Sequence, residues 1–200
     1  MNNLVRIAVL SDTHAGKVNE LPLALVDALI GMDMVVHLGD YSSGGLVNEL
    51  KKTGKFRGVR GNHDLGDIHT MLPKKDVVEV NGRRIGLLHG HGCSFPRGLH
   101  KGLIAQFKEE KMDVILFGHT HIASSKVVED VLLFNPGSAA GRFPARNRTY
   151  GILTIGETVN ADIVNIAGGH HWAHNASIPE PIRYLVHRMA YDWGILIKNI

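Results

Sequence analysis

Two hundred residues, 44% of them hydrophobic and 20% charged, suffice for one globular domain with a small appendage, and exclude a disordered or fibrous chain. A formal charge of +3 and a pI near 9.0 admit an anionic substrate but fall short of the dense basic patches of a nucleic-acid binder. The single cysteine, Cys93, excludes an intramolecular disulfide and fits a reducing, cytoplasmic compartment.

The first apolar run, Val5–Leu10, reads as a buried strand too short for a signal-peptide core. No later run approaches the ~18–20 residues of a membrane span. Asn19–Ile30 reads as a helix, with Asn19 as N-cap, Pro22 in the first turn and Gly31 just past the end. Met34–Leu38 is strand-like, Leu46–Thr53 a short helix closed by Gly54, and Phe56–Val59 a further strand. Asp76–Val80 and Arg83–Leu88 flank Asn81-Gly82, a two-residue turn that favours type I′ geometry, and so predict a hairpin. Gly98–Lys111 reads as helical and Val114–Phe117 as a strand. Val127–Val128 with Val131–Phe134, across Glu129-Asp130, predict a second hairpin, and Tyr150–Ile155 with Ala161–Ile166 a third. Helices among the early strands and hairpins later predict an α/β protein with mixed sheets.

From Gly168 the character changes. Ile178-Pro179-Glu180-Pro181 makes a stiff link, and Ile182, Leu185, Val186, Met189 and Trp193 then form one apolar helical stripe. The expected organisation is a domain over residues 1–167 and a helical extension over 168–200, packed on the domain or on a partner subunit, most simply in a homo-oligomer.

Set against these strands, the polar residues form a pattern. Asp12 and His14 follow the first strand, Asp40 the second and Asn62 the third. His89 ends the run IGLLH, and His119 and His121 follow VILFG. Each of these strands delivers metal-type ligands at its carboxyl end, the edge where open α/β sheets bind ligands. Asp12/His14 and His119/His121 have the i, i+2 spacing that puts both side chains on one face of extended backbone. Gly39, Gly61 and Gly118 precede Asp40, Asn62 and His119, where a missing Cβ permits a sharp turn and a close approach. Carboxylate, imidazole and amide without thiolate argue for Mn²⁺, Fe, Co²⁺, Ni²⁺ or Zn²⁺. The set is too large for one ion with an open position and suits two ions bridged by a carboxylate. With only Asp12 and Asp40 anionic, two divalent ions leave a net positive site that attracts a phosphate ester.

Other chemistries fail on inspection. A cysteine-phosphatase loop starting at Cys93 needs arginine where Leu99 stands, and Gly90-His91-Gly92 lacks the third glycine of a dinucleotide loop. No Gly-x-x-x-x-Gly-Lys-Ser/Thr and no Gly-x-Ser-x-Gly occurs.

Asp12-x-His14, Gly39-Asp40, Gly61-Asn62-His63-Asp64 and Gly118-His119-x-His121 resemble the ordered motifs of the calcineurin-like metallophosphoesterase superfamily. Leu88-His89-Gly90-His91 and Asn135-Pro136-Gly137-Ser138 resemble its small, cap-less phosphodiesterase branch, the YfcE-like proteins. The likeness spans about residues 4 to 166. It implies a four-layer α/β/β/α sandwich: two facing mixed β-sheets flanked by helices. It implies two divalent transition-metal ions, Mn²⁺ ranked first, one held by Asp12, His14, Asp40 and His121. The other would be held by Asp40, Asn62, His89 and His119, with Asp40 bridging. It further implies a phosphodiesterase acting on small or generic phosphodiesters, by attack of a metal-bridging hydroxide on phosphorus. His63 would assist the leaving group and Asp64 would orient the His63 imidazole. His91 reads either as a residue that approaches substrate or supports the ligands, or as a plain loop histidine. Arg142, Arg146 and Arg148 cluster after the Asn-Pro-Gly-Ser turn and could meet phosphate, with a solvated basic loop the leading reading. His170, His171 and His174 read as an exposed tail ahead of a further metal site. The rivals are a non-catalytic scaffold on the same fold, as in the retromer subunit, and a nuclease. The intact ligand set disfavours the first, and the lack of a basic, aromatic-rich stripe the second.

Overall fold

The computed structural model describes residues 4–93 and 97–166. Along the chain run β1 (Val5–Leu10), α1 (Leu23–Ile30), β2 (Met34–His37), α2 (Gly44–Lys51), β3 (Phe56–Gly58), α3 (Ile68–Met71), β4 (Lys75–Val80) and β5 (Arg83–Leu88). There follow α4 (Leu99–Ala105), β6 (Val114–Leu116), β7 (Ser124–Val128), β8 (Val131–Asn135), β9 (Thr149–Ile155) and β10 (Val159–Asn165). They form two five-stranded sheets, ordered β10-β9-β1-β2-β3 and β4-β5-β6-β8-β7. Both are mixed. β1, β2 and β3 are parallel while β9 joins antiparallel, and β5, β6 and β8 are parallel while β4 and β7 join antiparallel.

Side-chain alternation along the strands sets the layers. Ile7 and Val9 of β1 and Val36 of β2 pack against Ile85 and Leu87 of β5, Val114 and Leu116 of β6 and Phe134 of β8 in one buried cluster. The two sheets therefore meet face to face. The alternate residues point outward: Ala8, Leu10 and Val35 pack on Leu25 and Leu29 of α1 and Leu46 and Leu50 of α2. On the other side Ile115 and Leu133 pack on Leu103 of α4 and on Phe107. The result is an α/β/β/α sandwich of two facing mixed sheets.

Several boundaries differ from the sequence expectation, for local reasons. The helix expected from Asn19 begins at Leu23, after a single 3-10 turn over Val18–Glu20. Pro22 excludes helical backbone from the residue before it, and Leu21 is extended (φ −76°, ψ 150°). The helix expected from Leu46 starts at Gly44 because Ser43 caps it, its side chain accepting the Gly45 N–H. The helix expected over Gly98–Lys111 is α only to Ala105, then tightens into turns such as Phe107 N–H to Ile104 O (3.0 Å). These turns carry Phe107 into the outer core beneath Gly86. The hairpin at Asn81-Gly82 has positive φ at both residues, as type I′ requires, and so does Glu129-Asp130 without any glycine. No helix among the described residues is long and apolar enough to cross a membrane. The extension expected over 168–200 lies outside the described residues, as do His170, His171 and His174.

Candidate metal centre

The carboxyl ends of β1, β2, β3, β5 and β6 open onto one edge of the sandwich, and the loops leaving them carry the candidate ligands. The first two loops are laced together: the Asp12 N–H donates to Gly39 O (3.0 Å) and the His14 N–H to Asp40 O (3.0 Å). Beside them Gly118 N–H donates to His89 O (3.0 Å), joining the loops of the second sheet. The extended backbone expected at the i, i+2 pairs is not what converges them. Asp12 (φ 52°), His14 (45°), Asp40 (61°), His119 (66°) and His121 (59°) all adopt left-handed backbone. The other non-glycine residues in that region, among those described, are Asn81, Glu129 and Asp130 of the two hairpin turns. Each such residue costs about 1–2 kcal/mol, so the strain collects at the site.

What this strain achieves is a cluster of electron pairs. The ligand atoms of Asp12, His14, Asp40 and His121 all lie within 4.8 Å of one another. His121 Nδ1 lies 3.2 Å from Arg142 O and 3.0 Å from Phe143 O. Carbonyls only accept, so Nδ1 carries the proton and Nε2 is left facing Asp12 Oδ1 at 3.2 Å. The same logic applies to His89. Its Nδ1 donates to Leu38 O (2.7 Å), and Nε2 points at Asn62 Oδ1 (3.0 Å) and Asp40 Oδ1 (3.4 Å). His119 stands beside it, ring centroids 5.1 Å apart. Asp12 Oδ1 and His14 Nε2 are buried without a hydrogen-bond partner. Acceptors aimed at acceptors call for a cation between them, and imidazoles oriented by backbone carbonyls are how proteins hold metals. The donor set therefore fits divalent transition ions.

The titration behaviour follows from this crowding. Burial pushes the imidazoles of His14 and His119 below the ordinary value, which leaves them neutral and able to ligate. Burial alone would raise Asp12, but the His121 imidazole facing it and the Ser11 hydroxyl outweigh burial and hold the carboxyl low. The Asp12 carboxylate facing its Nε2 raises His121.

A layer of buried groups holds the ligands in position. Asp12 Oδ2 accepts from the Ser11 hydroxyl (2.6 Å) and the His119 N–H (3.1 Å), which turns Oδ1 inward. Asp64 is buried and accepts the N–H groups of Asp40 (2.9 Å), Gly61 (2.7 Å) and Tyr41 (2.7 Å). It ties the second loop to the third through these backbone bonds. Asn135 donates to Gly118 O (2.9 Å), and Ser138 Oγ donates to Asp12 O (3.0 Å). His37, which the sequence reading passed over inside an apolar strand, is fully buried. Its Nδ1 accepts the Gly39 N–H (3.2 Å), its Nε2 meets Thr13 Oγ1 (2.9 Å), and its ring stacks on Tyr41. The signal that could have found it is its place three residues before Asp40.

The remaining candidates stand around the opening. His63 is exposed, its N–H donating to Asp40 Oδ1 (3.0 Å) and its ring edge-on to His14 at 6.0 Å. His91 lies 5.6 Å from His89 and 6.3 Å from His119 between ring centroids. Cys93 is buried under the outer sheet face, where burial pushes its thiol up.

Gly39 shows how little room the loops leave. Its φ is +100°, and a Cβ there would lie 2.5 Å from the Gly61 backbone nitrogen. Gly39→Ala is expected to cost about 2–4 kcal/mol in urea unfolding, strain and overlap together, and to weaken metal binding. An unchanged unfolding midpoint would show that the loops can part without cost.

Residues 5–158 match the Calcineurin-like phosphoesterase superfamily domain. A probable metallophosphoesterase of Methanocaldococcus jannaschii is 38% identical over 133 residues, which cover 66% of this chain and 67% of that one. A phosphodiesterase of the same organism is 27% identical over 165 residues, covering 76% of this chain and 91% of its own. A crystal structure of Vps29 from Entamoeba histolytica is similar with a TM-score of 0.64 and 22% identity, over 81% of this chain and 99% of that one. At that identity the likeness is one of fold alone.

Proposed function

Because the chain belongs to the calcineurin-like phosphoesterase superfamily, we propose that it is a dinuclear metal-dependent phosphodiesterase acting on small phosphodiesters. The observation that carries this reading is the orientation of His89 and His121. Both are held by backbone carbonyls through Nδ1, and both aim Nε2 at carboxylates. Asp12, His14, Asp40 and His121 would hold one ion, and Asp40, Asn62, His89 and His119 the other. Mn²⁺ leads among Mn²⁺, Ni²⁺, Co²⁺, Fe and Zn²⁺, and the single buried Cys93 supports a reducing, cytoplasmic setting. The domain is read as ending near residue 167.

Bound ions supply positive charge that neutralises the phosphoryl oxygens and acidifies water. The chain's own residues then orient and protonate. Water that has lost one proton to solvent adds to phosphorus as the bond to the leaving oxygen breaks, and that oxygen takes a proton from protonated His63, which solvent then reprotonates. The Asp40 carboxylate fixes the His63 backbone by its N–H, and Asp64 fixes Asp40. His63 is thereby placed beside His14 at the mouth of the site.

The test is hydrolysis of an aryl phosphodiester and its matching monoester by metal-stripped protein, with Mn²⁺, Ni²⁺, Co²⁺, Zn²⁺ or Mg²⁺ restored singly. Diester cleavage restored by metal is expected. His63→Ala is expected to lower turnover about 10²–10⁴-fold on a diester with a poor leaving group, with metal affinity retained. Full turnover in that variant would remove His63 from the mechanism. No turnover with any ion would leave the rival reading, a non-catalytic scaffold on the same fold.

A further inference from the structure

Among the described residues six large apolar side chains are exposed, and three of them belong to segments that carry or contact the candidate ligands. Leu65 (73% exposed) lies two residues past His63, and Ile122 (47% exposed) directly follows His121. Phe143 (93% exposed) is the most exposed of all, yet its backbone is fixed within one residue of the metal centre. Its carbonyl and that of Arg142 both accept from His121 Nδ1, at 3.0 and 3.2 Å. The segment is anchored on its other side by Gly141 N–H to Ser138 O (3.1 Å) and Arg142 N–H to Ser138 Oγ (3.4 Å). Singly scattered apolar residues on a surface need no explanation, but three that each adjoin a segment of the candidate site do.

Resting on the phosphodiesterase reading, we propose that Arg142 and Phe143 form a substrate-recognition segment for phosphate esters that carry a flat aromatic group. Arg142 meets a non-bridging phosphoryl oxygen, to which a guanidinium is suited by geometry and permanent charge. Phe143 offers its ring face to the aromatic group of the ester, with Leu65 and Ile122 lining the approach. A nucleobase and a simple aryl group share this chemistry. A ring held on a rigid, backbone-anchored segment loses little freedom on stacking, and so favours aromatic over aliphatic esters. Within the basic loop expected from sequence, Arg142 abuts His121 through its carbonyl, whereas the Arg148 side chain lies beside Gly141.

The experiment measures binding by calorimetry to Mn²⁺-loaded protein, using phenylphosphonate and methylphosphonate, neither of which is hydrolysed. A nucleoside 5′-phosphonate, compared with the phenyl compound, separates the two aromatic sources. Wild type is expected to prefer the phenyl over the methyl compound roughly tenfold. Phe143→Ala should bring that ratio close to one, and Phe143→Trp should restore it. Arg142→Ala should weaken both ligands in the same proportion. A ratio near one in wild type, or one unchanged in Phe143→Ala, would overturn the proposal and leave the apolar rim as a seat for a partner protein. Neither phosphonate binding, together with no turnover on any diester, would instead overturn the underlying phosphodiesterase reading.

Discussion

Asp40→Asn is expected to abolish turnover by at least about 10³-fold and to strip metal from the protein while leaving the fold intact. Single hydrogen-bond donors that stabilise transition-state charge are worth 10²–10³, and groups merely supporting a ligand 10–100-fold in metal affinity; a carboxylate shared between two ions must exceed both. Asparagine is the informative replacement. It tolerates the left-handed backbone of Asp40 (φ 61°) and keeps an oxygen for the His63 N–H, whereas alanine would add backbone strain and lose that bond. What asparagine removes is the negative charge that faces His89 Nε2 at 3.4 Å. Metal content by mass spectrometry, unfolding midpoint and kcat/KM together make the test. Retained metal and turnover would show that Asp40 is not shared between two ions.

Lowering the pH from 7 to 4 is expected to destabilise the metal-stripped protein steeply, with His37 a principal cause. Nδ1 of His37 accepts the Gly39 N–H, so the ring is neutral with its proton on Nε2, toward Thr13. Complete burial pushes its pKa down to about 3. A histidine whose pKa is lower in the fold than in the unfolded chain takes up its proton first in the unfolded state. Stability is therefore full above the unfolded value of 6.5 and is lost progressively as the pH falls toward 3, by something on the order of 4 kcal/mol. His37→Gln keeps a donor and an acceptor in the same place but does not titrate. Its urea midpoints should fall less between pH 7 and 4 than those of wild type. Parallel profiles for the two proteins would assign the acid sensitivity to other groups.

The architecture was legible in the sequence wherever a local signal met a local requirement. Val5–Leu10 and Arg83–Leu88 are apolar runs with turn residues behind them, and both occupy the strands expected of them. Helix boundaries slipped where a single neighbour decides: Pro22 delays α1, Ser43 advances α2, and the contact of Phe107 with Gly86 shortens α4. Nothing local announces the contact of Phe107 with Gly86, because it joins residues far apart in the chain.

At the site the division is sharper. Ligand-type residues behind five strand ends are a property of order along the chain, and the sequence by itself determined that they exist and which strands bear them. It could not reveal that Asp12, His14, Asp40, His119 and His121 sit in left-handed backbone, since that strain is stabilised by bonds between loops, such as Asp12 N–H to Gly39 O. It could not reveal that Asp64 serves three backbone amides, or that His37 is a buried strut, because a side chain's partners are chosen by packing. Nor could it set Phe143 beside His121, 22 residues earlier in the chain. Chemical identity is local and is written in residue order. Orientation, burial and the direction of a lone pair arise only when distant loops close on one another, and those were decided by the tertiary structure.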